Sequence, residues 1–388
     1  MSVPPFQLSP PDHPVDVLIV AGEHSGDEHA ARMVHELRAE NPSVVIAALG
    51  GPALSAAGAQ LLYDLTASSV VGLVEVLKNY SFFKLLFAET LRWIETYRPR
   101  AVCFVDYPGM NLRLAAAMRE RGLSVKGGGS IKTLYYISPQ IWAWKAGRRF
   151  TMARDLDAIA VIFPFEVSCY ADTSLKAEFV THPFVAPDYT APVRYDSSAP
   201  VLLLPGSRKQ AVARIFPVLL KGFLRFGERN GVVLYPSEDI LQVLRAANPP
   251  PNIRLLPIAE NVSSARPVVA ASAVLTSSGT MSMHCALAGI PGAIVYRANP
   301  LTYVLGRMLV KVKYLGISNL LLNEPMYPEF IQNAATPSAL AADLREAVHD
   351  LGRRDRTLAQ ARRIRSMLGQ TGAGSAAEWL GRQLGLSQ

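Results

Sequence analysis

Two acidic residues of the sequence stand directly after apolar, strand-like stretches. Glu23 lies in the segment AGEHSGD, between Gly22 and Gly26, and Asp106 follows the apolar run AVCFV in the segment VDYPGMN. Ligands of open α/β sheets bind beyond the carboxyl ends of the strands, and burial there can tune a carboxyl group for proton transfer. We therefore predict that Asp106 is a general base, with Glu23 as the second candidate.

Both segments also allow a purely structural interpretation. Ser25 or Asp27 could cap the helix after the first segment, and Asp106 could cap the helix predicted over residues 111–121. Asn111 is better placed for that second cap, which leaves Asp106 for chemistry. The glycines of AGEHSGD let a ligand approach the backbone, and a helix N-terminus favours an anion. The residues predicted to bind substrate here are Gly22, Ser25, Gly26 and Asn111.

Two loops in the second half of the chain are suited to phosphate groups. In LPGSRK, the guanidinium group of Arg208 can form paired hydrogen bonds to phosphate oxygens. Arg208 and Lys209 could instead be a solvated pair, but cations at a helix start oppose the helix dipole unless an anion is bound. In TSSGTMSMH, hydroxyl and amide groups are suited to a diphosphate, whereas a helix cap would need only one of them. The residues predicted to bind phosphate are Gly206, Ser207, Arg208, Ser278, Gly279 and Thr280.

No metal site and no cofactor are predicted. His24, His29 and His35 lack the i, i+4 spacing of a helical zinc pair. Asp155 and Asp157 form a DxD pattern, but they precede the strand-like run AIAVIF instead of following it, so we assign them a structural role. Arginine and backbone amides would then meet the charge of a phosphate group.

Apolar runs of strand length alternate with helical patterns along the chain. They are Val15–Ala21, Val44–Leu49, Ala101–Val105, Thr133–Ile137, Ala158–Phe163, Val201–Leu204, Val232–Tyr235, Ala273–Thr276 and Ala293–Tyr296. This alternation predicts an α/β protein with parallel sheets, and the chain of 388 residues is longer than a single core usually allows. We predict two Rossmann-like, doubly wound domains that face a cleft, followed by C-terminal helices.

The domain boundary is predicted between Pro183 and Pro200, where prolines recur without a helical period. The tail carries no cationic region of the kind found in signal peptides, and no window is apolar enough to span a bilayer. The last helices could close the second domain or cross back to the first. The predicted segments are a flexible tail over 1–14, a first domain over 15–185, a linker over 186–200, a second domain over 201–350 and C-terminal helices over 351–388.

The net charge of +8 fits nucleic acid, an anionic membrane or a phosphorylated substrate. Nucleic acid is the least favoured partner, because no RNP-type, zinc-finger or basic-helix pattern accompanies the charge. The segments Val76–Trp93 and Arg307–Leu315 are both apolar and cationic, which is typical of helices on anionic membranes, although each alone could equally be a core helix. Cysteines in apolar runs indicate buried thiols in a reducing compartment. These are Cys103, Cys169 and Cys285.

In chain order, these segments resemble the lipid-A-disaccharide synthase family, inverting glycosyltransferases of the two-domain GT-B type. The resemblance runs through nearly the whole chain, and its most specific parts are WAW, PGSR and KVKYLGISNLL. It implies transfer of 2,3-diacylglucosamine from its UDP form to 2,3-diacylglucosamine 1-phosphate (lipid X), giving a β-1,6-linked disaccharide and UDP without a metal. It also implies a peripheral enzyme on the cytoplasmic face of the inner membrane of a Gram-negative-type bacterium. Exchange of the C-terminal helices within a homodimer is a further implication.

The resemblance also assigns roles to particular residues. Asp106 would accept the proton of the acceptor 6-hydroxyl, and Arg208 with the Ser278 loop would hold the diphosphate leaving group. Asn319 in KVKYLGISNLL and Gln332 in PEFIQNAATP are the further substrate-binding residues that it implies.

The chain departs from the family pattern where acidic residues are usual, at Gly109, Ala211 and His284. The usual glutamate at the last of these positions holds the ribose, and His284 could form that hydrogen bond instead. These departures motivate one alternative, a non-catalytic nucleotide-sugar or lipid-binding homologue, against which the retained site residues argue. The other alternative is a UDP-sugar epimerase of the same fold, against which the lipid-facing segments argue.

Overall fold

The computed structural model describes residues 6–69, 80–187, 189–258, 268–299, 303, 312–370 and 372–386. The chain divides into two compact units, the first comprising Met1–Pro183 with Gln370–Gln388 and the second Phe184–Gly369. Each unit contains a parallel sheet with helices, so the predicted α/β class is confirmed. No described helix is long and apolar enough to cross a membrane.

The sheet of the first unit has seven strands in the order β3-β2-β1-β4-β5-β6-β7, and neighbouring strands are parallel. The central strands β1 and β4 are buried along their whole length, which explains why their sequences are continuously apolar instead of alternating. The strands are β1 (Val17–Ala21), β2 (Ile46–Gly50), β3 (Gln60–Asp64), β4 (Ala101–Val105), β5 (Lys132–Tyr136), β6 (Ala158–Val161) and β7 (Lys176–Phe179).

Helices connect these strands, and the last helix of the chain returns to this unit. They are α1 (His24–Glu40), α2 (Pro52–Ala56), α3 (Thr66–Ser69), α4 (Tyr80–Tyr97), α5 (Pro108–Glu120), α6 (Arg148–Asp155) and the C-terminal α13 (Ala376–Leu384). Helix α13 packs against α1, and the ammonium group of Lys132 donates to the carbonyl of Gln383 at 2.6 Å. The chain end is therefore part of the first unit.

The structure describes only part of each of the two apolar, cationic segments. The first four residues of Val76–Trp93 and the first five of Arg307–Leu315 lie outside the described residues. Within α4, Trp93 is fully buried and donates from its indole nitrogen to the carbonyl of Ser9 at 2.9 Å. The end of the first segment therefore packs in the core, whereas Leu85 in the same helix is 57% exposed.

The second unit contains a six-stranded parallel sheet in the order β11-β10-β9-β13-β14-β15 and a separate parallel pair of β12 with β8. The strands are β8 (Val193–Tyr195), β9 (Val201–Leu204), β10 (Gly231–Tyr235), β11 (Ile253–Pro257), β12 (Val269–Ala271), β13 (Ala273–Thr276), β14 (Gly292–Tyr296) and β15 (Glu329–Ile331). The helices are α7 (Lys209–Phe226), α8 (Glu238–Ala246), α9 (Thr280–Leu287), α10 (Ile317–Leu322), α11 (Pro337–His349) and α12 (Leu351–Gly369).

Close packing of α7 against α11 forms one side of this unit. A Cβ atom on Gly222 would lie 2.7 Å from the Cβ atom of Leu340, so glycine permits the close approach. Arg353 of α12 is buried and donates to Asp343 at 2.7 Å, and it also donates to the carbonyl of Gly292 at 2.9 Å. A buried charge is tolerated where it is paired in this way.

All nine strands predicted from apolar runs are present, with ends that differ by at most two residues. Six further strands were not predicted: β3, β7, β8, β11, β12 and β15. All of them except the three-residue β12 carry polar or charged residues. Most of them lie at a sheet edge or in the separate pair, where one side of the strand is open and the apolar signal is weak.

Candidate active site

The carboxyl ends of β1 and β4 lie side by side in the first unit. Ala21 is the register partner of Val105, so the chain leaves the sheet towards Gly22 and Glu23 next to the point where it leaves towards Asp106. Glu23 is exposed at the start of α1, and its charge acts on the carboxyl group of Asp106. The structure therefore brings the two predicted acids to one edge of one sheet.

The backbone at Asp106 is held in a conformation that few side chains adopt. Asp106 and Tyr107 both have positive φ angles, 46° and 47°, and such left-handed residues cost free energy unless the surroundings fix them. The amide of Asp106 donates to the carbonyl of Tyr136 at 3.0 Å. Its carbonyl accepts from the Tyr135 hydroxyl at 2.6 Å and from the Asn111 amide at 2.8 Å. These three hydrogen bonds fix the direction in which the Asp106 side chain leaves the backbone.

The ring of Tyr107 occupies the space that a side chain at position 22 would need. A Cβ atom on Gly22 would lie 2.2 Å from the Cδ1 atom of Tyr107. Glycine is therefore required at position 22 by the packing of the β1 and β4 loops on each other, whatever its part in ligand binding. Gly26 differs, because a Cβ atom there would lie no closer than 3.7 Å to Val105.

Burial, together with the negative charge of Glu23, raises the pKa of Asp106 to about 6, while a hydrogen bond from the Tyr107 backbone opposes the shift. A carboxyl group with this pKa is mostly ionised at neutral pH and is more basic than an ordinary aspartate. It combines the two properties of a general base, which are availability in the deprotonated form and sufficient affinity for a proton.

Asn111 does not cap the helix, contrary to the sequence prediction. Helix α5 begins at Pro108 with Tyr107 as its N-cap, so Asn111 lies inside the first turn and is fully buried. The earlier start follows from Pro108, whose fixed φ angle and missing N–H suit the first helical position. The Asn111 side chain donates to the carbonyls of Val20 and Asp106, and in this way it ties together the ends of β1 and β4.

The remaining predicted residues of this loop divide into structural and exposed groups. Asp27 is buried, and its carboxylate accepts from the amides of Gly51, Ala53 and Leu54 at 2.7 to 3.3 Å. It therefore caps α2 and not its own helix. Ser25 is exposed in the first turn of α1, two residues after the exposed Glu23.

In the second unit, the loops after β9 and β13 are neighbours. Leu204 is the register partner of Thr276, and the amide of Ser277 donates to the carbonyl of Leu204 at 2.8 Å. Gly206 has a φ angle of 111°, and a Cβ atom there would lie 3.2 Å from the Ser277 hydroxyl oxygen. The glycine thus allows the two loops to lie against each other.

Both loops open helices, and their polar groups reach solvent. Arg208 is the N-cap residue of α7 and Gly279 that of α9, so free backbone N–H groups stand at both helix starts. Arg208 and Thr280 are exposed, as is Ser207, whereas Ser278 is half-buried. The Arg208 side chain forms no ion pair with another described residue. A cation beside two helix N-termini is an arrangement suited to an anion of several charges.

His284 is buried and lies in a cluster of aromatic rings. Its ring centroid is 4.0 Å from that of Phe184 and 5.7 Å from that of Tyr189, with which it is stacked. The Tyr189 hydroxyl lies 3.3 Å from the His284 Nε2 atom. These contacts join α9 to the chain segment at the start of the second unit.

Asn319 and Gln332 have their polar atoms engaged within the protein. Asn319 is fully buried, donates to Tyr327 and Glu329, and accepts from the amides of Met326 and Tyr327 at 2.9 and 3.0 Å. Gln332 both donates to and accepts from the backbone of Ala298, at 3.2 and 2.8 Å. These contacts support a role in shaping the loops after β14 and β15.

The DxD pattern has the structural role predicted for it. Asp155 is buried and accepts from Arg119 and Arg154 at 2.7 and 2.8 Å. Asp157 accepts from the amide and the hydroxyl of Thr133, at the opposite end of β5 from Asp106.

The sequence analysis missed the residues that hold Asp106. Tyr135 lies in an apolar run, and only its hydrogen bond to the Asp106 carbonyl in the fold gives it a role. Tyr107 follows Asp106 directly, but nothing in the sequence shows its left-handed conformation. Glu166 was not among the predicted site residues. It is buried, accepts from the Trp142 indole nitrogen at 3.2 Å, and has its pKa raised to about 8 by burial. The sequence did contain a signal for it, an acidic residue close behind the apolar run that contains β6.

Solved structures of similar fold are glycosyltransferases and sugar-nucleotide epimerases. A structure of the glycotransferase of kitacinnamycin has a TM-score of 0.58 and 14% identity, covering 96% of this chain and 100% of that one. A UDP-GlcNAc 2-epimerase from Neisseria meningitidis, bound to UDP-GlcNAc, has a TM-score of 0.53 and 10% identity, covering 91% of this chain and 99% of that one. The protein therefore has the two-unit GT-B fold.

Sequence comparison narrows this class to one family. The family model described as Lipid-A-disaccharide synthetase matches residues 17–378. A lipid-A-disaccharide synthase from Geobacter metallireducens is 35% identical, with 95% of this chain and 98% of the relative covered. Lipid-A-disaccharide synthase 1 from Legionella pneumophila strain Lens is 37% identical, with 81% and 83% covered. The chain belongs to the lipid-A-disaccharide synthase family, and it is a glycosyltransferase.

Proposed function

We propose that the protein transfers 2,3-diacylglucosamine from its UDP form to 2,3-diacylglucosamine 1-phosphate, producing the β-1,6-linked disaccharide and UDP. The observation that carries this proposal is Asp106, a carboxyl group with a pKa raised to about 6 on a fixed backbone at the edge of the first sheet. A glycosyltransferase of this family needs one group that deprotonates an acceptor hydroxyl, and Asp106 has the position and the pKa for it.

The reaction proceeds in one displacement. Asp106 accepts the proton of the acceptor 6-hydroxyl as the oxygen attacks the anomeric carbon of the donor. The bond from that carbon to the UDP oxygen breaks, and the configuration is inverted. Burial and, to a smaller extent, the negative charge of Glu23 keep the pKa of Asp106 high.

The charge that develops on departing UDP is met in the second unit. Arg208 provides a guanidinium group, and the loops that lead into α7 and α9 provide the backbone N–H groups of Gly206, Ser278 and Gly279. Such fixed donors stabilise an anionic leaving group and can replace a divalent cation in this role.

The decisive experiment measures UDP release by the purified protein with the donor alone, the acceptor alone and both together. We expect release only with both lipids, and unchanged release in the presence of EDTA. Isomerised donor without acceptor would identify an epimerase, and binding without any release would identify a non-catalytic homologue. Complete loss in EDTA with recovery in magnesium would contradict the metal-independent mechanism.

We further propose that the protein works at the cytoplasmic face of the inner membrane, because both proposed substrates carry acyl chains and its net charge is +8. Attraction between exposed charges is screened by salt, so membranes should retain the protein at low salt and release it at high salt. Retention through alkaline carbonate extraction would contradict a peripheral attachment.

A further inference from the structure

In the segment after β5, the first unit presents aromatic and cationic side chains that the mechanism above does not use. Trp144 is 43% exposed and Phe150 is 53% exposed, although large aromatic side chains are mostly buried in soluble proteins. Lys145 is exposed and Arg148 is half-buried. We call these four residues the aromatic–cationic patch.

The two cations of the patch lie on the Trp144 ring. The ammonium nitrogen of Lys145 is 4.5 Å from the ring centroid, and the guanidinium carbon of Arg148 is 5.2 Å from it. Their neighbour Arg149 pairs with Asp172 at 2.6 Å. Neither Lys145 nor Arg148 forms an ion pair with any residue that the structure describes. Two positive charges thus share one ring without a carboxylate to neutralise them.

The patch lies at the edge of the sheet that holds Asp106. Its residues follow β5, which is the parallel neighbour of β4, and Asp106 itself bonds through its amide to Tyr136 at the end of β5. The charge of Arg148 acts on the hydroxyl group of Tyr135, the same group that donates to the Asp106 carbonyl. Arg148 is therefore electrostatically coupled to the surroundings of the base.

The loop that carries the patch is fixed before any ligand binds. The amide of Trp144 donates to the carbonyl of Gln140 at 3.3 Å, and the amide of Arg148 donates to that of Lys145 at 2.9 Å. The Trp142 indole is held by the buried Glu166 at 3.2 Å. A preformed arrangement loses little conformational entropy on binding, which favours recognition of a small, defined group.

We propose that the aromatic–cationic patch binds the phosphomonoester of the acceptor glycolipid, with Lys145 and Arg148 on the phosphate and Trp144 and Phe150 against the apolar parts of the molecule. This assignment rests on the proposed function and adds to it the subsite that selects the acceptor. A phosphomonoester carries close to two negative charges at neutral pH, which matches the two unpaired cations. The guanidinium fork and the amphipathic indole suit a ligand that is charged at one end and apolar at the other.

The test measures the dissociation constant of the acceptor in neutral detergent micelles by calorimetry, without donor. The double variant K145Q/R148Q removes both charges and keeps side chains of similar length. We expect its dissociation constant for 2,3-diacylglucosamine 1-phosphate to rise about tenfold, as for the loss of hydrogen bonds to a charged group. For the same lipid without its phosphate, the dissociation constant of K145Q/R148Q should change less than about twofold, because no charged hydrogen bond is lost.

Lys126→Gln is the matched control, because Lys126 is an exposed cation in the connection that precedes β5, at the opposite edge of the sheet. It should leave both dissociation constants unchanged. An unchanged constant for the phosphorylated lipid in K145Q/R148Q, or an equal loss with both lipids, would overturn the assignment. Weaker binding of K145Q/R148Q to phosphatidylglycerol vesicles with unchanged micelle affinity would show a membrane-contact surface instead.

Failure of the proposed function has a different signature. In that case the wild-type protein releases no UDP from donor and acceptor together, whatever the variants do. If it releases UDP while K145Q/R148Q binds the acceptor normally, the patch assignment alone is wrong. A wild-type protein that does not bind the phosphorylated acceptor would overturn both.

Discussion

In each unit, the candidate residues lie at the edge formed by the carboxyl ends of the strands, and the two units build this edge differently. In the first unit, the turn after β4 is strained, with Asp106 and Tyr107 in left-handed conformations, and hydrogen bonds from Tyr135 and Asn111 hold it. In the second unit, a glycine takes the positive φ angle, and the side chain of Arg208 extends freely into solvent from a helix start.

This difference matches two chemical tasks. A general base must keep one carboxyl group at a defined position and shift its pKa, which requires burial and a fixed backbone. A diphosphate is bound by many hydrogen-bond donors, and none of them has to be held as strictly in position as a general base. Backbone N–H groups at helix starts and an exposed cation provide such donors. The first edge is therefore expected to be sensitive to small changes of packing, and the second to changes of charge.

The largest expected effect is that of Asp106→Asn. The substitution preserves volume and removes proton acceptance, so the rate at saturating substrates should fall by about 10² to 10⁴, the usual contribution of a general base. UDP affinity and melting temperature should stay close to the wild-type values. Full turnover by this variant would move the role of base to Glu23, and unfolding would show that Asp106 is structural.

Arg208→Ala tests the second edge. Loss of a charged hydrogen-bond donor should weaken UDP binding by about 1.5 to 3 kcal/mol, measured by calorimetry. The side chain is exposed, so stability to urea should not change. Lys209→Ala is the matched control, since Lys209 lies next to it and faces Asp239 at 3.9 Å. Equal losses in both variants would mean a general charge effect and not a contact with the diphosphate.

Gly22→Ala tests how tightly the first edge is packed. The new methyl group would meet the Tyr107 ring at 2.2 Å, so we expect a loss of about 1 to 3 kcal/mol in the free energy of unfolding, as for overpacking of a core. The controls are Gly26→Ala in the same segment and Gly279→Ala in the second unit, where the nearest atoms are 3.7 and 3.9 Å away. If all three variants lose the same stability, the proposed contrast between the edges is wrong.

The smallest expected effect is the pH dependence of turnover. Because the pKa of Asp106 is raised to about 6, the ionised base is lost as the pH falls through 6, and the rate should drop about tenfold between pH 7 and pH 5. UDP affinity, which depends on Arg208, should stay constant over this range. A rate that is flat down to pH 5 would exclude Asp106 as the titrating base.

The raised pKa of Asp106 affects stability in the opposite direction to turnover. The folded protein binds the Asp106 proton more tightly than the unfolded chain, whose carboxyl has a pKa near the ordinary 3.8. Between these two pKa values the contribution of Asp106 to stability should therefore rise as the pH falls. The difference in unfolding free energy between wild type and Asp106→Asn, measured by urea unfolding at several pH values, isolates this contribution.

The alternation of apolar runs was enough to predict the α/β class and nine strands, since central parallel strands are buried on both faces and read as continuous apolar sequence. It did not find edge strands such as β7, where Lys176–Phe179 mixes charged and apolar residues. The candidate residues after strand ends were also accessible, because the position of Asp106 or Arg208 after an apolar run is a local property of the chain.

Only the tertiary structure decided what surrounds these residues. The hydrogen bond from Asn111 to the Val20 carbonyl and the capping of α2 by Asp27 both join segments that are distant in sequence. The hydrogen bond from Tyr135 to the Asp106 carbonyl joins residues 29 positions apart. Sequence patterns report the periodic burial of one segment. The burial of a carboxyl group and the partners that hold it are set by neighbouring strands, which come together only when the sheet forms.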